Sequence, residues 1–111
     1  FERDREDLHT RLDLKFPQVV LGASVEVPAL EDPEKIEIPP GTPGGKTFRL
    51  RGKGMPRLRG SGRGDLYARV FIDVPKNLSE KERVLVEALA QEMDVPVQSA
   101  GLLDRIRQLF S

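Results

Sequence analysis

Residues 36–56, IEIPPGTPGGKTFRLRGKGMP, constrain the fold of this chain more than any other stretch. Ile36 and Ile38 alternate with a glutamate, which is typical of a strand with one buried side. The Pro-Pro-Gly-Thr-Pro-Gly-Gly run that follows restricts φ at its prolines and permits positive φ at its glycines, which predicts a tight, ordered loop. Phe48 and Leu50 then resume the alternation, so the simplest interpretation is a hairpin.

Other stretches show the same alternation and complete the predicted sheets. Apolar residues, with Thr10 as the exception, occupy every second position in residues 8–16 and again in residues 65–74, which predicts two half-buried strands. Residues 24–30 and 35–38 lie between these strands. They are separated by an acidic turn that contains a proline, which indicates a second hairpin.

Helical patterns appear at one short site within the β region and twice near the end of the chain. Residues 17–22 fit a single helical turn, with proline near its start and glycine at its end. Ser79 and Glu82 have the spacing of a capping box, which predicts a helix that begins here and runs to about Met93. After a linker, residues 102–110 predict a second amphipathic helix.

These patterns predict a mainly β protein with a helical tail. The expected fold is a small β-sandwich or open barrel of short antiparallel strands with a short helical turn, followed by two C-terminal helices. We divide the chain into a β-sandwich domain at residues 1–76 and a C-terminal helical segment at residues 77–111.

Positive charge is concentrated in one connection, although the whole chain has a formal net charge of zero. Residues 49–63, the basic loop, contain six cations and no acid. The cations are Arg49, Arg51, Lys53, Arg57, Arg59 and Arg63. Nucleic acid and acidic peptides could both bind such a patch, and a solvated loop is the structural alternative. We retain a nucleic-acid-binding β-domain as the alternative function, although residues 52–64 lack the aromatic side chains that stack on bases.

The residue types on which most catalysis and metal binding depend are scarce. The chain has no cysteine and a single histidine, His9, on the polar side of its strand. The segment at residues 45–47 resembles the end of a phosphate-binding loop, but Pro40 stands where the first glycine of that motif belongs. No apolar run approaches the roughly 20 residues that span a membrane. We therefore expect a non-enzymatic module with no catalytic residues, cofactor, metal or membrane span.

Two sets of apolar side chains fall outside the obvious core. Tyr67 and Phe71 lie on the charged side of their strand, where they either pack against a second layer or form an exposed strip for a partner. The last helix has an apolar stripe that docks either on its own domain or on another chain. The stripe consists of Leu102, Leu103, Ile106, Leu109 and Phe110.

Taken together, the motifs resemble the C-terminal substrate-binding region of the DnaJ co-chaperones, the forty-kilodalton heat-shock family. The resemblance is carried by IPPGTPGGKTFRLRGKGMP at residues 38–56, by Gly-Asp-Leu-Tyr at residues 64–67 leading to Val-Pro at residues 74–75, and by the capped helix. Residues 1–3 and 21–28 fit the same pattern, so the resemblance covers nearly the whole chain.

This resemblance implies the second of two tandem β-sandwich domains of a cytoplasmic co-chaperone. Such domains bind non-native polypeptides in shallow apolar grooves and deliver them to the DnaK-type chaperone, with no nucleic acid or membrane as partner. The C-terminal helices would form a homodimer, which places two client sites in one molecule. The J domain and its His-Pro-Asp triplet are not in this segment, so it would not itself stimulate the ATPase of the partner.

Candidate residues for these roles follow from the exposed and alternating positions. A site for an extended peptide needs a sheet edge or an apolar depression. The client-binding candidates are Ile36, Ile38, Phe48 and Leu50, with Tyr67 and Phe71 as the alternative strip, and each can instead belong to the core. The expected dimer interface adds Leu85 and Leu89 to the terminal stripe. The basic loop either binds an acidic tail of the partner chaperone or only keeps the connection soluble.

Overall fold

The computed structural model describes residues 1–58, 60 and 62–98, and the chain divides into two compact units. The first unit is Phe1–Val74 and the second begins at Pro75. The first contains all the strands and one short helix in the described part of the chain, and the second contains one longer helix. The mainly β prediction is therefore confirmed.

The chain contributes its first two strands to one sheet, its next two to a second sheet and its last two to the first sheet again. The strands are β1 (Glu2–Asp4), β2 (Asp7–Lys15), β3 (Ala23–Val27), β4 (Glu34–Ile38), β5 (Thr47–Leu50) and β6 (Leu66–Asp73), and the helices are α1 (Phe16–Leu21) and α2 (Glu80–Glu92). A four-stranded sheet has the order β1-β2-β6-β5, and a two-stranded sheet pairs β3 with β4. Neither sheet closes into a barrel, because β1 and β5 form the two edges of the larger one.

The central pair of the larger sheet, β2 and β6, is parallel, so the prediction of antiparallel strands throughout was wrong. Eight residue pairs join these strands, from Leu8 opposite Leu66 to Lys15 opposite Asp73. Parallel neighbours require a long crossover connection, and residues 16–65 supply it. Periodicity could not reveal the direction, because a strand alternates in the same way whichever way its neighbour runs.

The predicted hairpin between residues 36–38 and 46–51 was also wrong. β4 pairs with β3 and β5 pairs with β6, so the proline- and glycine-rich loop crosses from one sheet to the other. The loop is ordered by backbone bonds at both ends. The N–H groups of Gly41 and Thr42 donate to the Val19 carbonyl at 2.8 and 3.0 Å, and Gly45 donates to Val70 at 2.8 Å.

The predicted β3–β4 hairpin, short helix and capped helix are confirmed, whereas the second C-terminal helix predicted at residues 102–110 lies outside the described residues. β3 and β4 form an antiparallel pair with Val25 opposite Ile36, and residues 16–21 form the short helix α1. α2 begins with the expected capping box, in which the Ser79 hydroxyl accepts from the Glu82 N–H and the Glu82 carboxylate accepts from the Ser79 N–H. These two bonds satisfy amide groups that have no partner within the helix.

One apolar core lies between the two sheets and α1. Side chains on one side of β2 and β6 meet Val27 of β3, Ile38 of β4 and Val19 of α1. Its buried members are Leu8, Leu12, Leu14, Val19, Val27, Ile38, Leu66, Ala68 and Val70. The core therefore occupies only one side of the four-stranded sheet, which leaves the opposite side of β2 and β6 outward.

The basic loop contains a small ordered hairpin that lies against the turn before β2. Across this hairpin the Gly54 N–H donates to the Gly64 carbonyl, and the Gly64 N–H donates to the Met55 carbonyl. The Met55 N–H donates to the Glu6 carbonyl at 2.7 Å. A Cβ atom built on Gly54 would lie 2.5 Å from the Glu6 oxygen and 2.7 Å from the Asp65 oxygen. Glycine is needed here because three backbone segments meet, and their backbone atoms cannot move aside as the end of a flexible side chain could.

No helix in the described residues is long and apolar enough to cross a membrane.

We expect Gly54→Ala to lower the free energy of unfolding by about 2–3 kcal/mol, because the new methyl group overlaps fixed backbone atoms. The matched control is Gly44→Ala, whose Cβ would only touch Ile72 at an ordinary 3.5 Å. Urea unfolding measures both variants. Equal stability of the two would contradict the close backbone crossing.

Candidate functional site

The side of the four-stranded sheet that faces away from the core carries a distinct set of side chains, which we name the outer face. It is formed by the odd-numbered residues of β2 after Asp7 and the odd-numbered residues of β6, because alternate residues of a strand point to opposite sides. These residues are His9, Arg11, Asp13, Lys15, Tyr67, Arg69, Phe71 and Asp73. The parallel register aligns His9 with Tyr67, Arg11 with Arg69, and Asp13 with Phe71.

Two aromatic rings on β6 form the apolar part of the outer face. His9 stacks on Tyr67 with ring centroids 5.1 Å apart and an angle of 14° between the planes. The Arg11 guanidinium lies 3.9 Å from the centroid of the Phe71 ring, and Arg69 lies 5.6 Å from the same ring. Cation–π contacts of this kind contribute about 0.5–1 kcal/mol each at exposed sites. Both rings are half-buried by these neighbours and remain partly open to solvent.

The outer face is concave. An open depression of about 960 Å³ extends across it, lined by residues of all four strands together with Phe1 and Gly45. On the β5 side the depression is lined by the small side chain of Thr47 and by Gly45. Arg49 of β5 lies opposite Tyr67, with its guanidinium 6.0 Å from the centroid of the Tyr67 ring. A depression of this size can hold several residues of an extended polypeptide.

Charges on the outer face are only partly neutralised within the chain. Arg11 is paired with Asp13 at 2.7 Å, and Lys15 is paired with Asp73 at the end of the sheet. The pKa of Lys15 is raised, first by its hydrogen bond to Asp73 and second by the negative charge of Asp73. Arg69 has no carboxylate partner among the residues that the structure describes.

The structure separates the two groups of client-binding candidates. Ile38 is 2% exposed and belongs to the core, and Ile36, Phe48 and Leu50 are partly buried and pack against it. Tyr67 and Phe71 lie together on the outer face, in the open depression. Tyr67 and Phe71 therefore line an open depression, whereas Ile38 is enclosed in the core.

Three cations of the basic loop are fixed by acids elsewhere in the first unit. Their ion pairs are Arg49 with Asp65, where Nε lies 2.7 Å from the carboxylate, Lys53 with Glu34 at 2.8 Å, and Arg63 with Glu31 at 2.6 Å. Arg51 and Arg57 are exposed, and Arg59 lies outside the described residues. The loop is thus anchored to both sheets, and half of its predicted cations already have partners.

Asp65, just before β6, makes several of the bonds that hold the basic loop to the four-stranded sheet. Its carboxylate accepts hydrogen bonds from the Gly52 N–H at 2.9 Å and from Arg49, and its side chain is only 15% exposed. The Gly52 N–H bond is the largest cause that lowers the pKa of Asp65 below its ordinary value, and the Arg49 hydrogen bond is the second. Its own N–H donates to the Asp7 carboxylate at 2.7 Å, which joins the loop to β2.

Of the predicted dimer residues, the structure describes only the two on α2. Leu85 is 68% exposed and Leu89 is 41% exposed. Leu102, Leu103, Ile106, Leu109 and Phe110 lie outside the described residues. Between residues 1 and 98, in the described part, no cluster of acidic or histidine side chains could hold a metal ion.

The stacking and cation–π contacts of the outer face were not predicted from the sequence. His9 was assigned only to the polar side of its strand, and Arg11 and Arg69 were not singled out. Alternation placed these residues on one face of each strand, but only the parallel register brings the two strands side by side. The regular odd-number spacing of aromatic and arginine residues in 65–74 was the one available signal.

The fold and the outer face define a mainly β module with two open sheets and an accessible aromatic depression. The sequence profile of the DnaJ C-terminal domain matches residues 1–75. The chain therefore belongs to the DnaJ C-terminal domain family.

Curated relatives extend the match to nearly the whole chain. It is 45% identical over 114 residues to a chaperone protein DnaJ of Natronomonas pharaonis, a match that covers 99% of the chain and 29% of that relative. A chaperone protein DnaJ of Shouchella clausii is 44% identical over 112 residues, covering 99% of the chain and 30% of the relative. Chaperone protein DnaJ 2 of Aquifex aeolicus is 56% identical over 77 residues, which are 68% of the chain and 20% of that protein. The chain thus spans less than a third of the relatives it matches.

Asp65→Asn should destabilise the first unit at neutral pH, because it removes the charge that Gly52 and Arg49 stabilise. Since the folded pKa is lowered, the contribution of Asp65 is present above its unfolded pKa of about 4 and is lost as pH falls through the lower folded value. The stability gap between the original chain and Asp65→Asn should therefore shrink below about pH 4. Urea unfolding at several pH values measures this gap, with Asp32→Asn as the control. A stability gap that does not change with pH would contradict a stabilising role of the ionised Asp65 carboxylate.

Proposed function

We propose that this chain is the client-binding and dimerising part of a DnaJ-type co-chaperone. In this role it binds non-native polypeptide without catalysing a reaction, and the full-length protein delivers the polypeptide to a DnaK-type chaperone. Membership of the DnaJ C-terminal domain family supports a chaperone role. The observation that carries the client-binding part is the open aromatic depression of the outer face.

The outer face suits an extended polypeptide with little sequence preference. Its two rings are partly buried and flanked by arginine and histidine side chains, so they offer apolar surface without forming a deep pocket. Burial of an apolar client side chain contributes about 25 cal/mol per Å² of area removed from water, and part of this is lost to ordering of the client. Affinity for one segment should therefore be modest, which fits a chaperone that must release its client.

Dimerisation would compensate for weak individual contacts. Leu85 and Leu89 are one turn apart on α2 and both are exposed. Large apolar side chains on one face of a helix are normally covered, and a second copy of the same helix would cover them. Two outer faces in one dimer raise the effective concentration of the second site once the first is occupied.

The alternative function, nucleic-acid binding through the basic loop, has less support. Arg49, Lys53 and Arg63 form ion pairs within the chain, so contact with phosphate would have to compete with these carboxylates. We do not advance this alternative.

The double variant Tyr67→Ala, Phe71→Ala should bind a permanently unfolded client about tenfold more weakly than the original chain, because two anchor side chains are lost. Fluorescence anisotropy with labelled, reduced and carboxymethylated α-lactalbumin measures the affinity. Phe16→Ala removes an exposed aromatic side chain outside the outer face and serves as the control. If the double variant bound as well as the control, the outer face would not be the client site.

Leu89→Glu should convert the dimer into a folded monomer, because it places a charge in an apolar interface. Light scattering after size exclusion over a dilution series gives the mass, and circular dichroism verifies the helix. Gln91→Glu adds the same charge on a different side of α2 and should leave the mass of the dimer unchanged. A dimer that persists in Leu89→Glu, or an original chain that is monomeric at every concentration, would contradict the proposed interface.

A further inference from the structure

The outer face has an electrostatic feature that apolar client binding does not explain. Arg11 and Arg69 are directly opposite each other in the parallel register of β2 and β6. Neighbouring strands are about 5 Å apart, so two like charges start from adjacent backbone positions. Like charges in this arrangement destabilise a sheet. Asp13 forms an exposed ion pair with Arg11 at 2.7 Å, and Arg69 has no carboxylate partner among the described residues.

Arg69 is also held at a defined place between the two aromatic rings. It follows Tyr67 by two residues and precedes Phe71 by two, so all three side chains point to the same side of β6. Its guanidinium lies over the Phe71 ring, 5.6 Å from the centroid. Gly45 borders it on the β5 side, where a Cβ atom would still be 3.8 Å from the guanidinium. Arg69 is exposed, so an anion can approach its guanidinium from solvent.

We propose that the outer face selects extended peptide segments in which a carboxylate lies between two apolar side chains. The three side chains of β6 alternate as ring, cation and ring along about 13 Å of strand. An extended ligand has the same spacing, so its apolar residues at the first and fifth positions can contact Tyr67 and Phe71. A glutamate or aspartate at the third position then pairs with Arg69 and relieves its repulsion with Arg11.

This inference rests on the proposed function and adds a preference within it. The favoured clients are segments of the pattern apolar, any, acidic, any, apolar. Purely apolar segments would still bind, but more weakly. Segments with lysine at the central position would bind more weakly, because the new ammonium group would lie beside the cationic Arg69.

The test uses four fluorescein-labelled peptides of nine residues on a glycine–serine background. The first has leucine at positions three and seven and glutamate at position five. In the others the glutamate is replaced by glutamine, replaced by lysine, or moved to position four. Fluorescence anisotropy with the full chain should show the first peptide binding about three- to fivefold tighter than the glutamine peptide, the range for an exposed ion pair. The lysine peptide should bind more weakly than the glutamine peptide, and the shifted peptide should bind about as well as the glutamine peptide.

The preference should depend on one side chain. In Arg69→Gln the glutamate and glutamine peptides should bind equally, whereas Arg51→Gln, which removes an exposed cation outside the outer face, should keep the preference. Thermal unfolding should show that Arg69→Gln is at least as stable as the original chain, because a like-charge pair is removed. Equal binding of all four peptides to the original chain would overturn the proposal, as would a preference that survives Arg69→Gln.

Two further results distinguish this proposal from nucleic-acid binding and from client binding without an acidic preference. If a labelled nine-nucleotide oligothymidylate bound more tightly than the glutamate peptide and lost affinity in Arg69→Gln, the anion would be phosphate and the peptide preference would be wrong. If no peptide preference appeared but carboxymethylated α-lactalbumin still depended on Tyr67 and Phe71, the acidic subsite would fail and the proposed client face would stand. Loss of both dependences would contradict both.

Discussion

The parallel pairing of β2 with β6 is the constraint on which the rest of the first unit depends. It places the leucines of β2 beside Leu66, Ala68 and Val70, which are fully buried, and so creates one side of the core. The same register places histidine beside tyrosine and arginine beside arginine on the opposite side. A shift of one residue would exchange the two sides, which would bury charges and expose the core. Core and outer face are therefore two consequences of one register.

The basic loop supports this register through contacts that bridge the sheets. Asp65 stands at the start of β6, and its backbone and carboxylate bond to Asp7 of β2 and to Gly52 of the loop. Lys53 pairs with Glu34 at the start of β4, and Arg63 pairs with Glu31 in the turn before β4. The basic loop, whose charge suggests a recognition element, thus uses three of its cations to connect parts of the first unit. Its charges are balanced by acids that are distant in sequence.

Much of the fold could be predicted from the sequence because the relevant signals are local. Alternation located the long strands, the capping box located Ser79, and the acidic turn located the pairing of β3 with β4. The errors concern relations between distant segments: the direction of β2 against β6, and the route of the loop at residues 39–46. The contacts of His9 with Tyr67 and of Arg11 with Phe71 depend on that direction, so they could not be predicted. Tyr67 and Phe71 themselves were found because two aromatic residues on a charged face are unusual.

Amide chemical shifts test the central claim, that the outer face of β2 and β6 is the polypeptide-binding surface. The measurement is a two-dimensional ¹H–¹⁵N spectrum of the labelled chain, recorded during titration with an unlabelled, permanently unfolded polypeptide. The account predicts that the largest shift changes cluster at His9, Arg11, Tyr67, Arg69 and Phe71. Changes concentrated instead at Ile36, Phe48 and Leu50, with the outer face unaffected, would contradict it. They would place the client at the partly buried side chains that pack against the core.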